Sequence, residues 1–281
     1  MIDIHSHILP GLDDGAPTME AALAMARIAA EDGITAMIAT PHIFRERIQE
    51  TNLDLIRPAV DKFKASLQEQ SIPLDIFAGA EVHISHNLSQ IIGEHRQELV
   101  LNKGMYVLVE FPSTHVFAGV KDLFFDLMTE SLIPIIAHPE RNRVFRHNAQ
   151  LLFELIEMGA LVQINQGSLF GLYGGSAKEA VRNFIEMKFV HFAATDCHNS
   201  TASAPRLTQA VEELTELAGE EASRALVEDN PRAVIEDKEI PYHPQPQNPE
   251  QKKKSLSIKL PFFFLKRKKN VNQNFERILE L

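Results

Sequence analysis

The sequence predicts an α/β protein whose parallel strands form a distorted seven-stranded barrel. Seven short apolar runs recur about every 30 residues, and the segments between them have apolar side chains at helical spacing. Strands that are apolar at every position are typical of a parallel sheet covered by helices on both faces. Seven such units favour a closed or nearly closed barrel over an open sheet.

The predicted strands are the seven apolar runs, at residues 2–4, 35–39, 74–80, 106–109, 133–137, 161–164 and 190–194. Helices are predicted between them, for example at residues 18–32, 53–70 and 151–158. Gly33 and Gly159 follow two of these helices, and glycine commonly ends a helix. Two further helices are expected after the last strand, at residues 207–218 and 220–228.

Composition divides the chain of 281 residues into two predicted parts. Residues 1–240 would form the barrel, and residues 241–281 would form a proline-rich linker with a basic, aromatic tail. Residues 251–281 hold nine Lys or Arg and two Glu, a net charge of +7, which leaves −17 for residues 1–250 out of −10 overall. An acidic barrel argues against nucleic acid as a partner.

The tail has two interpretations that the sequence leaves open. Basic clusters at residues 252–254 and 266–269 flank Phe262, Phe263 and Phe264, a combination suited to peripheral contact with an anionic membrane. The same stretch is equally compatible with a disordered, solubilising extension.

The predicted location is the cytoplasm, with any membrane contact at the inner face. The single cysteine, Cys197, has no partner for an internal disulfide. Asp3 and His5 interrupt the first apolar run, so the N-terminus lacks a signal-peptide pattern. Apolar runs all fall short of the roughly 20 residues that span a bilayer.

Ionisable residues follow six of the seven predicted strands. In an α/β barrel the carboxyl ends of the strands meet on one face, where active sites are built. Six separate segments would therefore bring imidazoles and carboxylates together: His5-Ser6-His7, Thr40-Pro41-His42, Glu81, Glu110, His138-Pro139-Glu140-Arg141 and Asp196-Cys197-His198.

The spacing within two of these segments predicts metal binding. Side chains alternate along an extended chain, so His5 and His7 can reach the same ion, as can Asp196 and His198. Mixed imidazole and carboxylate ligands suit Mn, Fe or Zn, and the absence of thiolate pairs disfavours a structural zinc site. Each segment taken alone has a simpler interpretation, such as a rim ion pair for Glu81 or a helix cap for Asp196. The remaining histidines lack this relation to strands and are expected to be mostly solvated.

Taken as a set, these segments resemble the polymerase and histidinol phosphatase (PHP) superfamily. Within it, the sequence resembles the bacterial manganese-dependent protein-tyrosine phosphatases of capsule and exopolysaccharide operons, the CpsB/YwqE type. The resemblance covers about residues 1–240 and is carried by the runs at residues 1–15, 39–42, 79–81, 109–112, 137–142 and 195–199.

The resemblance implies a PHP barrel of seven β/α units with three manganese ions at its C-terminal face, or Fe or Zn in their place. It implies three ligand sets: His5, His7, Glu81 and Asp196; Glu81, Glu110 and His138; Asp14, His42 and His198. Arg141 matches the arginine that contacts substrate phosphate. A second family arginine is replaced by Ser203, and Arg206 is the candidate substitute.

The implied activity is hydrolysis of phosphotyrosine by direct attack of metal-activated hydroxide, on a phosphorylated bacterial tyrosine kinase that controls capsule or exopolysaccharide synthesis. A cysteine-dependent mechanism is excluded, because a Cys-x5-Arg motif from Cys197 would need arginine where Ser203 stands. Two alternatives remain: a PHP-type phosphatase of a small monoester such as histidinol phosphate, and a scaffold that docks on a membrane or partner.

Overall fold

Short parallel strands alternate with helices along most of the chain. The computed structural model describes residues 1–44 and 52–251. The strands are β1 (Ile2–Ser6), β2 (Ala36–Ala39), β3 (His42–Ile43), β4 (Asp75–Ala78), β5 (Glu81–His83), β6 (Tyr106–Glu110), β7 (Ile133–Ala137), β8 (Leu161–Asn165) and β9 (Phe192–Ala194).

The α-helices agree closely with the predicted helical segments, and several shorter helices join them. They are α1 (Met19–Glu31), α2 (Ile56–Glu69), α3 (Leu88–Glu94), α4 (Arg96–Leu99), α5 (Val120–Thr129), α6 (Arg143–His147), α7 (Ala149–Glu157), α8 (Gln166–Leu169), α9 (Gly175–Glu186), α10 (Thr208–Ala218), α11 (Glu220–Arg224) and α12 (Asn230–Ile235). Short 3₁₀ helices lie at Leu53–Leu55, Leu101–Lys103 and Pro139–Arg141, and Ala225–Asp229 forms a π-helix.

Local chemistry explains where the longer helices begin. The Thr18 side chain accepts a hydrogen bond from the Ala21 amide and caps α1, and Asn148 caps α7 through the Leu151 amide. Helix α2 buries one apolar face, formed by Ile56, Val60, Phe63 and Leu67.

All strand pairs are parallel, as predicted, but the strands form two sheets. One sheet has the order β1-β2-β4, and the other has the order β3-β5-β6-β7-β8-β9. At the far side of the larger sheet, the Asp196 amide donates to the His5 carbonyl at 2.9 Å and the His7 amide to the Cys197 carbonyl at 3.0 Å. An isolated bridge pairs Ser6 with Cys197 there, so the described residues form a ring that is not closed by a continuous ladder.

The predicted count of seven strands is not confirmed, because two predicted strands are interrupted. Pro41 lacks an amide hydrogen and separates β2 from β3. Gly79 separates β4 from β5, and a Cβ atom there would approach side-chain atoms of Ile38 and Leu101 to 2.8 Å. The described residues therefore contain nine short strands, and the α/β class with parallel sheets is confirmed.

The two faces of the larger sheet belong to different apolar clusters. In β6, Tyr106 and Leu108 join the smaller cluster of strand side chains, whereas Val107 and Val109 join the larger cluster that includes the helices. Burial of both faces explains why the strands are apolar at nearly every position.

Residues 241–251 lie against the rest of the described fold. The Asn230 side chain is fully buried, donates to the carbonyls of His191 and Tyr242, and accepts from the Tyr242 amide. The Gln247 amide donates to the Met187 carbonyl. The predicted tail, residues 252–281, lies outside the described residues, and the boundary at residue 240 stays a prediction. No helix of the described part is long and apolar enough to span a bilayer.

We expect Asn230→Ala to lower the free energy of unfolding by about 2–4 kcal/mol, because three backbone groups would lose their partner. Urea unfolding followed by circular dichroism measures this change. Lys238→Ala is the control, since Lys238 is 69% exposed in its ion pair with Glu236. Equal effects of the two substitutions would contradict a stabilising role for Asn230.

Candidate metal centre

All nine predicted metal ligands lie together, His42 and Glu81 at the first residues of β3 and β5 and the other seven at or after the carboxyl ends of strands. They fall into four groups, within each of which one ligand atom per residue lies within 4.8 Å of the others. The groups are His7, Asp14, His42 and His198; His5, His7 and Glu81; His5, His138 and Asp196; His42, Glu81 and Glu110. These groups share members and do not coincide with the three predicted ligand sets. The division of the nine residues among three ions therefore stays a prediction.

The end of β1 and the residue that follows it present two imidazoles to one point. The Nε2 atoms of His5 and His7 lie 3.2 Å apart. His5 Nδ1 is 2.9 Å from Gln163 Oε1, and His7 Nδ1 is 2.7 Å from Asp13 Oδ2. Both acceptors favour a proton on Nδ1, so each Nε2 would offer its lone pair to a metal, as in other histidine ligands held by a carboxylate or carbonyl.

Glu81, at the start of β5, is the central carboxylate. Its Oε1 is 2.9 Å from His138 Nε2, and its Oε2 is 2.7 Å from His42 Nδ1 and 3.3 Å from His5 Nε2. Burial alone would raise the pKa of Glu81, but His5 and His42 hold it well below its ordinary value. The side chain is therefore an ionised, fully buried carboxylate.

Asp196, just after β9, joins the imidazoles to the rim of the site. Its Oδ1 is 3.4 Å from His5 Nε2 and 3.2 Å from His7 Nε2. Its Oδ2 accepts hydrogen bonds from Arg141 Nη1 at 2.7 Å and Asn165 Nδ2 at 2.6 Å. Burial would raise the pKa of Asp196, but His5 and His7 lower it, so this carboxylate is also ionised.

Asp14 completes the outer side of the site. Its Oδ1 is 3.5 Å from His42 Nε2 and 3.3 Å from His198 Nε2, and its side chain is 50% exposed. The turn that carries Asp14 packs tightly on His7, because a Cβ atom on Gly15 would lie 1.9 Å from the His7 carbonyl oxygen. Glycine is therefore required at this close approach.

The donor set fits divalent cations. Burial lowers the pKa of His5, but Glu81 and Asp196 outweigh it and raise that pKa to about 9. The pKa of His7 shifts in the same direction, because Asp13 and Asp196 outweigh the effect of burial and raise it well above the ordinary value. Without another cation, the buried carboxylates thus retain protons on His5 and His7. A site that demands positive charge and offers imidazole nitrogens and carboxylate oxygens suits Mn, Fe or Zn.

The two predicted arginines differ in placement. Arg141 follows β7 in the 3₁₀ helix Pro139–Arg141, and its side chain is 28% exposed at the rim, tied to Asp196. Arg206 is exposed, and within the described residues its side chain makes no hydrogen bond or ion pair with the nine ligands. Ser203 is buried, with Oγ donating to the Asp196 carbonyl. The structure thus brings Arg141, but not Arg206, into contact with the ligand cluster.

Several polar residues that hold the site were missed by sequence reasoning. Gln163 and Asn165 belong to β8, the strand with no ionisable residue at its end, where two amides in an apolar run were the available signal. Glu140, which the sequence had already placed in a polar segment after a strand, accepts from the Asn165 amide, and burial raises its pKa to about 7. Tyr173 stacks on Arg141, with 4.3 Å between the guanidinium carbon and the ring centroid.

One histidine expected to be solvated is buried. His191 is 0% exposed, and its Nδ1 accepts from the Val162 amide at 3.1 Å. Burial lowers its pKa to about 3, so the ring is neutral. The expectation was wrong because residues beyond residue 240 cover this end of the sheet. The hydrophobic periodicity before β9 does not reveal such a contact between distant segments.

Comparison with known proteins supports a metal-dependent phosphatase family. A family model described as capsular polysaccharide synthesis, CpsB/CapC, matches residues 1–236. Over 199 residues, 71% of this chain and 78% of the relative, the chain is 42% identical to tyrosine-protein phosphatase YwqE of Bacillus subtilis (strain 168). Over 201 residues, 72% of this chain and 78% of the relative, it is 34% identical to the putative tyrosine-protein phosphatase CapC of Staphylococcus aureus.

A solved structure agrees with these sequence relatives. It comes from crystal structures of YwqE from Bacillus subtilis and CpsB from Streptococcus pneumoniae, described as unique metal-dependent tyrosine phosphatases. The TM-score is 0.82 at 38% identity, covering 88% of this chain and 99% of the other. The resemblance inferred from the sequence is therefore confirmed.

We expect Mn²⁺, added after chelation, to raise the thermal midpoint of the wild type by several degrees, because a ligand at 100 times its Kd stabilises by about 2.7 kcal/mol. In Glu81→Gln the shift should largely vanish, since a neutral amide replaces the carboxylate that contacts four imidazoles.

Calorimetry and elemental analysis of bound metal would measure the same loss directly. Glu154→Gln is the matched control, because Glu154 is 38% exposed and pairs with Lys121. An equal Mn²⁺ shift in both variants would remove Glu81 from the metal site.

Proposed function

The chain belongs to the CpsB/CapC family of capsular polysaccharide synthesis, and from this premise we propose that it is a metal-dependent protein-tyrosine phosphatase. The observation that carries the proposal is the juxtaposition of nine metal-ligating side chains with the Arg141 guanidinium, which meets them at Asp196. A phosphate bound at this rim would face both cations and an arginine.

The chemistry divides between the ions and the chain. When bound, divalent cations supply acidification of a water and neutralisation of phosphate oxygens. Gln163 and Asp13 orient His5 and His7, and Arg141 donates hydrogen bonds to phosphate oxygens through its planar fork. A phenol leaving group, with a pKa of about 10, needs less protonation than an aliphatic alcohol. The site therefore suits an aryl phosphate without requiring a strong general acid.

A cysteine nucleophile has no support in this fold. Cys197 is fully buried, and burial raises the pKa of its thiol well above the ordinary value. A nucleophilic cysteine needs an accessible thiolate and a nearby cation. Ser203 stands where the Cys-x5-Arg motif would place its arginine.

The barrel is best understood as seven β/α units. We infer that β2 with β3, and β4 with β5, are halves of two bent strands, because only two residues separate each pair. The two sheets then become arcs of one distorted PHP barrel, which meet at Ser6 and Cys197. Bending at these points directs His42 and Glu81 toward the common centre.

The finer assignments belong to the same proposal. We assign three manganese ions to the nine ligands, and a phosphorylated bacterial tyrosine kinase as substrate. The enzyme would be cytoplasmic and act near the inner face of the membrane. Arg206 remains the candidate second arginine, and contact with phosphate would require its exposed side chain to reach the rim.

The decisive experiment compares a phosphotyrosine peptide, a phosphoserine peptide and histidinol phosphate as substrates. We expect hydrolysis of the phosphotyrosine peptide to dominate, to vanish after chelation and to return with Mn²⁺. Cys197→Ser should retain turnover, whereas His5→Ala should lose both metal and turnover. Preference for histidinol phosphate would favour a small-monoester phosphatase, and loss of turnover in metal-loaded Cys197→Ser would overturn direct attack by water.

We expect deletion of residues 252–281 to leave turnover of p-nitrophenyl phosphate nearly unchanged, because every candidate ligand precedes residue 200. The deletion should reduce co-sedimentation with vesicles containing phosphatidylserine at low salt, since each basic residue contributes about 1 kcal/mol near an anionic surface. Vesicles of phosphatidylcholine are the control. Equal sedimentation of both proteins would favour a disordered extension.

A further inference from the structure

Four side chains at the rim of the metal centre are joined in a closed cycle of contacts. Arg141 Nη1 donates to Asp196 Oδ2 at 2.7 Å, and Asn165 Nδ2 donates to the same oxygen at 2.6 Å. Asn165 Nδ2 also donates to the Tyr173 hydroxyl at 3.3 Å. The aromatic ring of Tyr173 lies over the guanidinium of Arg141, with 4.3 Å between the ring centroid and the guanidinium carbon, and this contact closes the cycle. Asp196 and Tyr173 thus contact the arginine directly, and Asn165 connects these two residues.

The loop after β8 holds Tyr173 in place by close packing. The Asn165 side chain accepts from the Gly167 amide, and the Leu172 amide donates to the Gly167 carbonyl. A Cβ atom on Gly167 would lie 2.9 Å from Leu172 Cδ2 and 3.2 Å from Tyr173 Cε2. The loop therefore folds back on the end of its own strand, which fixes the tyrosine relative to Asn165.

The geometry restricts how Arg141 can move. A guanidinium carries five N–H donors in one plane, and Asp196 takes a donor at one edge of that plane. The Tyr173 ring covers one face, and stacking of this kind favours a fixed orientation of the fork. The donors that point away from Asp196 stay available for a bidentate contact with a phosphate.

We propose that Tyr173 is a positioning residue that holds the Arg141 guanidinium in the orientation that binds substrate phosphate. The proposal rests on the proposed phosphatase function only for its substrate, since it concerns recognition of the phosphate group itself. Tyr173 acts through Arg141, because the tyrosine ring stacks on the guanidinium while the tyrosine hydroxyl accepts a hydrogen bond from Asn165. The ring face, not the hydroxyl, supplies most of the effect.

The test compares Tyr173→Phe with Tyr173→Leu in the Mn²⁺-loaded enzyme. Phenylalanine keeps the stacking face, so affinity for inorganic phosphate, measured by calorimetry, and kcat/KM for p-nitrophenyl phosphate should stay within about twofold of wild type. Leucine keeps apolar volume but not the π face, so both quantities should fall roughly tenfold. Metal content should be unchanged in both variants.

A double-mutant cycle separates action through Arg141 from direct contact with the substrate. In an Arg141→Ala background, Tyr173→Leu should lower phosphate affinity and kcat/KM by less than about a further twofold, because the residue that Tyr173 positions is gone. Phe170→Ala, an exposed aromatic of the same loop, controls for general disturbance of the loop. Circular dichroism and thermal midpoints confirm that each variant is folded.

Additive losses in the double mutant, equal losses in the phenylalanine and leucine variants, or unchanged phosphate affinity in Tyr173→Leu would overturn the proposal. A larger loss with p-nitrophenyl phosphate than with inorganic phosphate would instead assign Tyr173 to the aryl ring of the substrate and also overturn it. Failure of the wild type to hydrolyse phosphotyrosine peptides, with the phosphate-binding pattern intact, would refute the proposed function and leave this inference standing.

Discussion

The Glu81 carboxylate is fully buried, and ring nitrogens of four histidines lie within 3.5 Å of its oxygens. A buried charge is stable only when it is compensated, and here compensation comes from imidazoles on separate strands. His5, His42 and His138 must therefore converge on one point. The parallel sheets provide that convergence, because strand ends in an α/β fold of this kind meet on one face.

This constraint also explains the polar groups around the ligands. Gln163 and Asp13 occupy the outer nitrogens of His5 and His7, so those rings cannot turn away from the centre. Asp3 is buried beneath them, and its carboxylate accepts from the His5 amide and from Thr195, which precedes Asp196. Burial raises the pKa of Asp3 to about 6 despite these hydrogen bonds. The ends of β1 and β9 are thus joined by side chains where the strand ladder is incomplete.

Much of this arrangement follows from sequence pattern, because both strands and ligands have a local signal. Apolar runs predict strands, and the six polar segments that follow them all reach the cluster. Asp14 has no such signal, since its local sequence predicts a turn and its partners, His42 and His198, come from distant strands. Its identification required the family resemblance. The interruptions at Pro41 and Gly79 depend on contacts between strands, which periodicity does not encode.

The roles of the uncharged side chains at the rim could not be predicted from the sequence, for a related reason. Asn165 and Tyr173 carry neither ligand spacing nor charge, and their roles arise from contacts with Arg141 and Asp196. Asp196 uses one oxygen toward the imidazoles and the other toward the arginine. A single carboxylate therefore links the imidazole cluster to the Arg141 guanidinium. Because Asp196 makes both contacts, a displacement of this side chain would disturb the imidazole cluster and the arginine together.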